Sequence, residues 1–145
     1  MAKKKAKRGE FVVDCSVTVA WFFEDEADAY AEAVEDSLAS ATAVVPSLWR
    51  LEVANALLMG ERRKRTTEAK VTQFLVLLSA LPINVDDETD ARAWSDTLSL
   101  ARAHDLSVYD AAYLELARRR DLPLATLDAS LKAAAKKIGI AEYKP

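Results

Sequence analysis

The feature that most constrains this chain is an alternation. Short apolar runs at Phe11-Val12-Val13, Ala43-Val44-Val45, Ile83-Asn84-Val85 and Pro123-Leu124-Ala125-Thr126 are separated by long segments dominated by Ala, Glu and Leu. Runs this short suit strands, and the intervening segments are long enough for helices. Strands joined by helical crossovers pair in parallel, because each crossover brings the chain back to the same end of the sheet. Helices are expected over 27–41, 47–65, 67–81, from the acidic start at Asp86 to about His104, from a Ser107 cap through Arg120, and from Asp128 through Ile138. Ile83-Asn84-Val85 is the weakest strand, and Ala141–Tyr143 is a candidate to close the sheet. With 145 residues, 51% of them hydrophobic, the chain can bury one core and not two. The expectation is a single α/β domain: a three-layer α/β/α sandwich around a central parallel sheet of four to five strands.

Composition removes several classes. Three Gly, four Pro and one Cys exclude collagen-like, disordered and disulfide-scaffolded proteins. Cys15, being alone, can form neither an internal bridge nor a thiolate zinc site, which fits a reducing compartment, and the cytoplasm is the expected location. No apolar run approaches the ~20 residues of a membrane-spanning helix, and no signal-like apolar stretch follows the charged N-terminus. The net charge is −3, but Lys3, Lys4, Lys5, Lys7 and Arg8 sit in residues 1–9. That basic tail is read as a disordered extension of a folded domain spanning 10–145. Without it, 15 bases face 23 acids, a body charge of −8. Such a body is a poor general nucleic-acid binder, since phosphate affinity rests on Lys and Arg, although a bound cation would reverse this locally.

Four acids stand where such a sheet would gather them. Asp14 and Asp128 each follow a strand, at the carboxyl edge where open α/β sheets bind ligands, and each also suits a helix N-cap. Glu52 interrupts the largely apolar segment Leu48–Met59 and shares a helix face with Asn55 at i,i+3, so both are expected to point inward. An inward carboxylate needs a cation, a donor or water. Asp110 lies three residues after Ser107, as in a capping box. Like charges packed together become tolerable around divalent cations, and an all-oxygen set without His or Cys favours Mg²⁺ or Mn²⁺ over zinc. His104, the single histidine, rules out a two-histidine nuclease and is read as a solvated residue near a helix end. Trp21, Phe22, Phe23, Trp49, Phe74 and Trp94 are read as core or subunit contacts. The clusters Arg62–Arg65 and Arg118–Arg120 are read as solvated helix ends.

Four ordered segments, Phe-Val-Val-Asp14-Cys-Ser16, Val-Pro46-Ser-Leu-Trp-Arg-Leu-Glu52-Val-Ala-Asn55-Ala-Leu, Leu-Ser-Val-Tyr109-Asp110-Ala-Ala-Tyr113-Leu-Glu-Leu-Ala and Leu-Ala-Thr126-Leu-Asp128-Ala-Ser-Leu, resemble the successive motifs of PIN-domain VapC toxins from type II toxin–antitoxin modules. The resemblance runs from Phe11 to about Ile140. It implies that Asp14, Glu52, Asp110 and Asp128 are the metal-binding catalytic acids, with Asp14 and Asp110 central and Glu52 and Asp128 completing the site. It further implies Ser16 and Thr126 as orienting hydroxyls, Asn55 as a supporting polar group, and no thiol chemistry at Cys15. The implied activity is Mg²⁺- or Mn²⁺-dependent hydrolysis of RNA phosphodiesters. The implied partners are RNA, a second copy of the chain, and a small antitoxin whose C-terminal segment blocks the pocket, often with an inserted basic side chain.

Two other classes compete. Asp14-Cys15-Ser16-Val17-Thr18-Val19 imitates the opening motif of a haloacid-dehalogenase-like phosphatase, but Ser16 stands where the second acid of that motif belongs. A non-catalytic module that binds RNA or a protein partner is the other, and a full set of acids argues against it. The RNA class, the cleavage sequence and the antitoxin stay open at this point.

Overall fold

The computed structural model describes residues 9–145, so the expectation for the basic tail lies outside the described residues except at Gly9. Four strands form: β1 (Glu10–Val13), β2 (Thr42–Val45), β3 (Ile83–Val85) and β4 (Leu124–Ala125). They make one sheet in the order β3-β2-β1-β4, and every pairing is parallel. The candidate fifth strand contributes only an isolated parallel bridge between Leu124 and Glu142. Its Tyr143 ring stacks on Phe11 at 3.7 Å between centroids, which ties the C-terminus to the central strand.

The helices are α1 (Cys15–Ala20), α2 (Ala29–Ser37), α3 (Trp49–Arg62), α4 (Glu68–Ser79), α5 (Thr89–Arg92), α6 (Leu98–His104), α7 (Val108–Arg120) and α8 (Ala129–Lys137). α1 was not expected; it is short and begins at the Asp14 cap. The helix expected from the acidic start at Asp86 to about His104 forms over residues 89–104, with α5 and α6 joined by a π-helical segment, Ala93–Thr97. This turns the Trp94 side chain out to 93% exposure, so Trp94 is not a core residue. Right-handed crossovers put the β1-to-β2 and β2-to-β3 helices on one face of the sheet and the β3-to-β4 helices on the other, giving the three-layer fold. The order of the strands reverses direction between β1 and β4, and such a switch point opens a crevice at the carboxyl edge.

Val12, Val13, Val44, Val45 and Ala125 are fully buried, as both-face coverage of parallel strands requires. Gly60, in α3, permits a close approach by Phe23: an added Cβ would lie 2.6 Å from a Phe23 ring carbon. That ring has little room to yield, with the Arg65 guanidinium 4.1 Å above its centre and Phe22 edge-on at 4.9 Å.

The arginines at the end of α7 correct the expectation of a solvated cluster. Arg118 is exposed, but Arg119 closes on Asp86 (2.7 Å) and Glu115 (2.7 Å), whose side chains are only 5% and 4% exposed. Arg120 approaches Glu10 at 3.6 Å. In the other basic cluster, Arg65 pairs with Asp25 and Glu26. Arg119 therefore binds α7 to the chain leaving β3, with two carboxylates buried around it. Arg119→Met leaves both without their principal cation and is expected to cost about 3–5 kcal/mol of stability, read by chemical denaturation. Gly60→Ala is expected to cost about 1–3 kcal/mol by overpacking against Phe23, in spite of alanine's better helix propensity.

Candidate functional site

The β1–β4 register pairs Val13 with Ala125, so the next residues, Asp14 and Thr126, emerge side by side at the carboxyl edge. The Asp14 N–H donates to the Ala125 carbonyl at 3.0 Å, which continues the pairing one residue further. Asp14 is 6% exposed and caps α1. Its Oδ1 accepts from the Ser16 N–H (3.0 Å), and its Oδ2 accepts from the hydroxyls of Ser16 (2.8 Å) and Thr126. Those hydroxyls are themselves fixed, because Ser16 Oγ accepts from the Leu127 N–H and Thr126 Oγ1 from the Asp128 N–H, each at 3.0 Å. Three of the roughly four acceptor positions of a carboxylate are thus taken at Asp14. Burial pushes Asp14 above its ordinary value; the Thr126 and Ser16 bonds pull against this, and the Asp128 charge adds to it.

The other acids arrive from three helices. α3 leaves β2 through Pro46 and carries Glu52 in its first turn. α7 runs back towards β4, which brings its N-terminus and Asp110 to the same edge. α8 begins at Asp128, whose Oδ1 caps the helix through the Leu131 N–H at 2.9 Å. Burial raises Glu52, and the charges of Asp14 and Asp110 raise it further against a lowering hydrogen bond from Tyr113. Burial also raises Asp110, as do the charges of Asp128 and Asp14, with Ser107 opposing. The Ser107 hydroxyl accepts from the Asp110 N–H at 3.1 Å, half of the anticipated capping box. Among the described residues the return bond to the Asp110 carboxylate is not formed. Cys15, beside these acids, is pushed up to about 12, by burial first and then by Glu52, Asp14 and Glu26, so it is held as a neutral thiol.

The structure brings Asp14, Glu52, Asp110 and Asp128 within one another's fields, and Ser16 and Thr126 stand against Asp14. Among the described residues no Lys, Arg or His forms a salt bridge with any of the four acids, whereas Asp86 and Glu115 are well supplied with arginine. Asn55 is exposed, while Glu52 on the same helix is half-buried, and among the described residues Asn55 makes no side-chain hydrogen bond to the four acids. An i,i+3 pair spans about 60° of helix, enough for one member to meet the edge of the sheet and the other to meet solvent. The residue that sequence reasoning passed over is Tyr113. It is fully buried, and its hydroxyl donates to Glu52 Oε1. Its signal was present, since Tyr113 follows Asp110 at i,i+3 in a helix otherwise apolar at that level. His104 is half-buried at the end of α6, short of full solvation.

In donor type and uncompensated charge, the site fits a hard divalent cation. It is not a closed cage. Among the described residues no three of the His, Cys, Asp and Glu side chains stand close enough to grip one ion as they are. Asp14 is fixed by its hydrogen bonds, so the adjustment falls to Glu52, Asp110 and Asp128, which carry fewer bonds.

The comparisons agree with this architecture. The crystal structure of PAE2754 from Pyrobaculum aerophilum superimposes with a TM-score of 0.62 at 25% identity, covering 93% of this chain and 87% of that one. Mycobacterium tuberculosis VapC20, described as a sarcin-ricin loop cleaving toxin, gives 0.62 at 18% identity over 93% and 99%. A toxin–antitoxin complex from Klebsiella pneumoniae gives 0.54 at 16% over 81% and 86%. No curated protein matches significantly in sequence. The PIN domain family profile matches residues 11–137, nearly the whole of the described chain. The chain belongs to the PIN-domain family.

Proposed function

We propose that this PIN domain is a Mg²⁺- or Mn²⁺-dependent endoribonuclease, the toxin of a toxin–antitoxin pair, acting in the cytoplasm on RNA phosphodiesters. The observation that carries the reading is the set of four carboxylates gathered at the carboxyl edge beside the β1/β4 switch point, none of them paired with a cationic side chain among the described residues. Asp14 and Asp110 would hold the ion, with Glu52 and Asp128 completing its surroundings. When bound, such an ion lowers the pKa of water and offsets the charge that grows on a phosphodiester during hydrolysis. The chain's own part is positioning. Ser16 and Thr126 lock the Asp14 carboxylate in one orientation, and the Asp128 N–H on Thr126 keeps that hydroxyl aimed at Asp14. The neighbour from Klebsiella, a toxin–antitoxin complex, supports an antitoxin partner; in the proposed assembly that partner is a small protein covering the acidic pocket, alongside a second copy of the chain. No helix among the described residues is long and apolar enough to cross a membrane.

A phosphatase reading draws no support from the site. Both oxygens of Asp14, the nucleophile in that reading, accept hydrogen bonds, and Ser16 supplies two of them.

With either metal, the wild-type chain is expected to cleave RNA, and Asp14→Ala and Asp110→Ala each to lose at least about 100-fold, beyond the 10–100-fold typical of a group one step removed from a metal. Cleavage by wild type and both variants alike, or by none under either metal, counts against the reading. Stability should carry the same signature. Asp14, Glu52 and Asp110 are raised above ordinary values of 3.8, 4.5 and 3.8. Their contribution is therefore whole below those values and is lost as pH rises through the raised ones. Asp86 has the opposite sign: burial raises it, but Arg119, the Glu88 N–H and Arg120 bring it below 3.8 overall, so its contribution is lost as pH falls. The metal-free protein is expected to lose thermal stability as pH climbs out of the carboxylate range, less so as Asp14→Asn, and to regain it at neutral pH on adding Mn²⁺.

A further inference from the structure

Glu52 is held by one contact. Among the described residues, its carboxylate accepts a single hydrogen bond, from the Tyr113 hydroxyl to Oε1, and it forms no salt bridge. Its surroundings push it outwards, because among the described residues the charges of Asp14 and Asp110 both act against it and half-exposure on α3 leaves solvent within reach of its three rotatable bonds. A glutamate in that position, without a tether, gains hydration and relief from repulsion by turning away from the sheet edge.

Tyr113 can act as that tether because it has no freedom of its own. It is fully buried and lies on the longest apolar stretch of α7, between Ala112 and Leu114, which are also buried. It is three residues after Asp110, on the same side of α7. One rigid helix thus carries both an acid of the site and the donor that fixes a second acid on α3. The bond uses Oε1, and among the described residues Oε2 has no hydrogen-bond partner, which leaves it available to a cation or to water around it.

We propose that Tyr113 is a positioning residue: its hydroxyl holds Glu52 over the acidic pocket against the repulsion of Asp14 and Asp110, and thereby sets the pocket's affinity for divalent cation. The inference rests on the metal-site reading above. It adds that a group which touches neither metal nor RNA decides how much metal the site needs.

Tyr113→Phe removes the hydroxyl and keeps the ring that packs the core. Mn²⁺ binding is measured without RNA, by electron paramagnetic resonance of the free ion, for wild type, Tyr113→Phe, Glu52→Gln, the double variant and Asp14→Asn, with thermal unfolding of each metal-free protein to establish folding. The expected result is a Mn²⁺ dissociation constant about 10–100-fold higher in Tyr113→Phe, with RNA cleavage largely restored at saturating metal. In the Glu52→Gln background, Tyr113→Phe should change little further, because the hydroxyl then has no carboxylate to hold. Unchanged Mn²⁺ affinity in Tyr113→Phe, while Asp14→Asn and Glu52→Gln both lose it, overturns the role of Tyr113 and leaves the metal site standing. An equal loss in the wild-type and Glu52→Gln backgrounds also overturns it, because the tyrosine would then serve packing alone. If wild type and Asp14→Asn bind Mn²⁺ equally weakly, the metal-site reading itself fails, and the inference with it.

Discussion

β1 is flanked by β2 on one side and β4 on the other, and its three valine and phenylalanine side chains are wholly removed from solvent. A strand in that position has no latitude in register, because a shift of one residue would turn each side chain to the opposite face and break two ladders at once. Asp14, the residue immediately beyond it, inherits that rigidity. Its N–H still belongs to the sheet through Ala125, while its side chain already belongs to α1 as a cap. The other elements of the pocket are placed relative to this one point: Thr126 by pairing, Ser16 by the first turn of α1, Glu52 and Asp110 by helices whose N-termini reach the same edge.

The pocket is a compromise between two opposing demands. Folding favours neutral or paired groups in the interior, whereas the site concentrates carboxylates and leaves the arginines elsewhere. The hydroxyls of Ser16, Thr126 and Tyr113 moderate this, each donating to an acid that has no salt-bridge partner among the described residues. Helix capping contributes in the same way. Asp14 and Asp128 each satisfy an N-terminal amide, so an acid of the candidate site also stabilises the fold that presents it.

The features that could be read from the chain were those with a local or periodic signature. The strand runs at Phe11 and Ala43, the caps at Ser107 and Asp128, and the acids that follow β1 and β4 are stated directly by neighbouring residues. What could not be read was set by contacts across the fold. Asn55 has the same spacing signal as Glu52, but only the position of α3 against the sheet edge decides which of them turns in. The π-helical segment at Ala93–Thr97 shifts the helical phase by less than one residue type can announce, and it sends Trp94 outward. Arg119 and Arg120 look like any basic helix end until the chain after β3 delivers Asp86 to them. Tyr113 carries a local signal in its spacing from Asp110, but its acceptor Glu52 lies 61 residues away, so no local pattern names that pairing. Ala141–Tyr143 has strand composition, yet β4 is only two residues long and offers it a single bridge.

The pairing of guanidinium groups with carboxylates has a kinetic side. Arg65, Arg92, Arg119 and Arg120, four of the 15 bases in residues 10–145, approach carboxylates of the same chain, and acids outnumber bases over those residues by eight. Attraction extending a Debye length from such a surface is weak or reversed in sign. A phosphate-bearing molecule would then meet this domain at the unguided rate of about 10⁵–10⁶ M⁻¹s⁻¹ and not at the much faster rate of a collision drawn in by opposite charge.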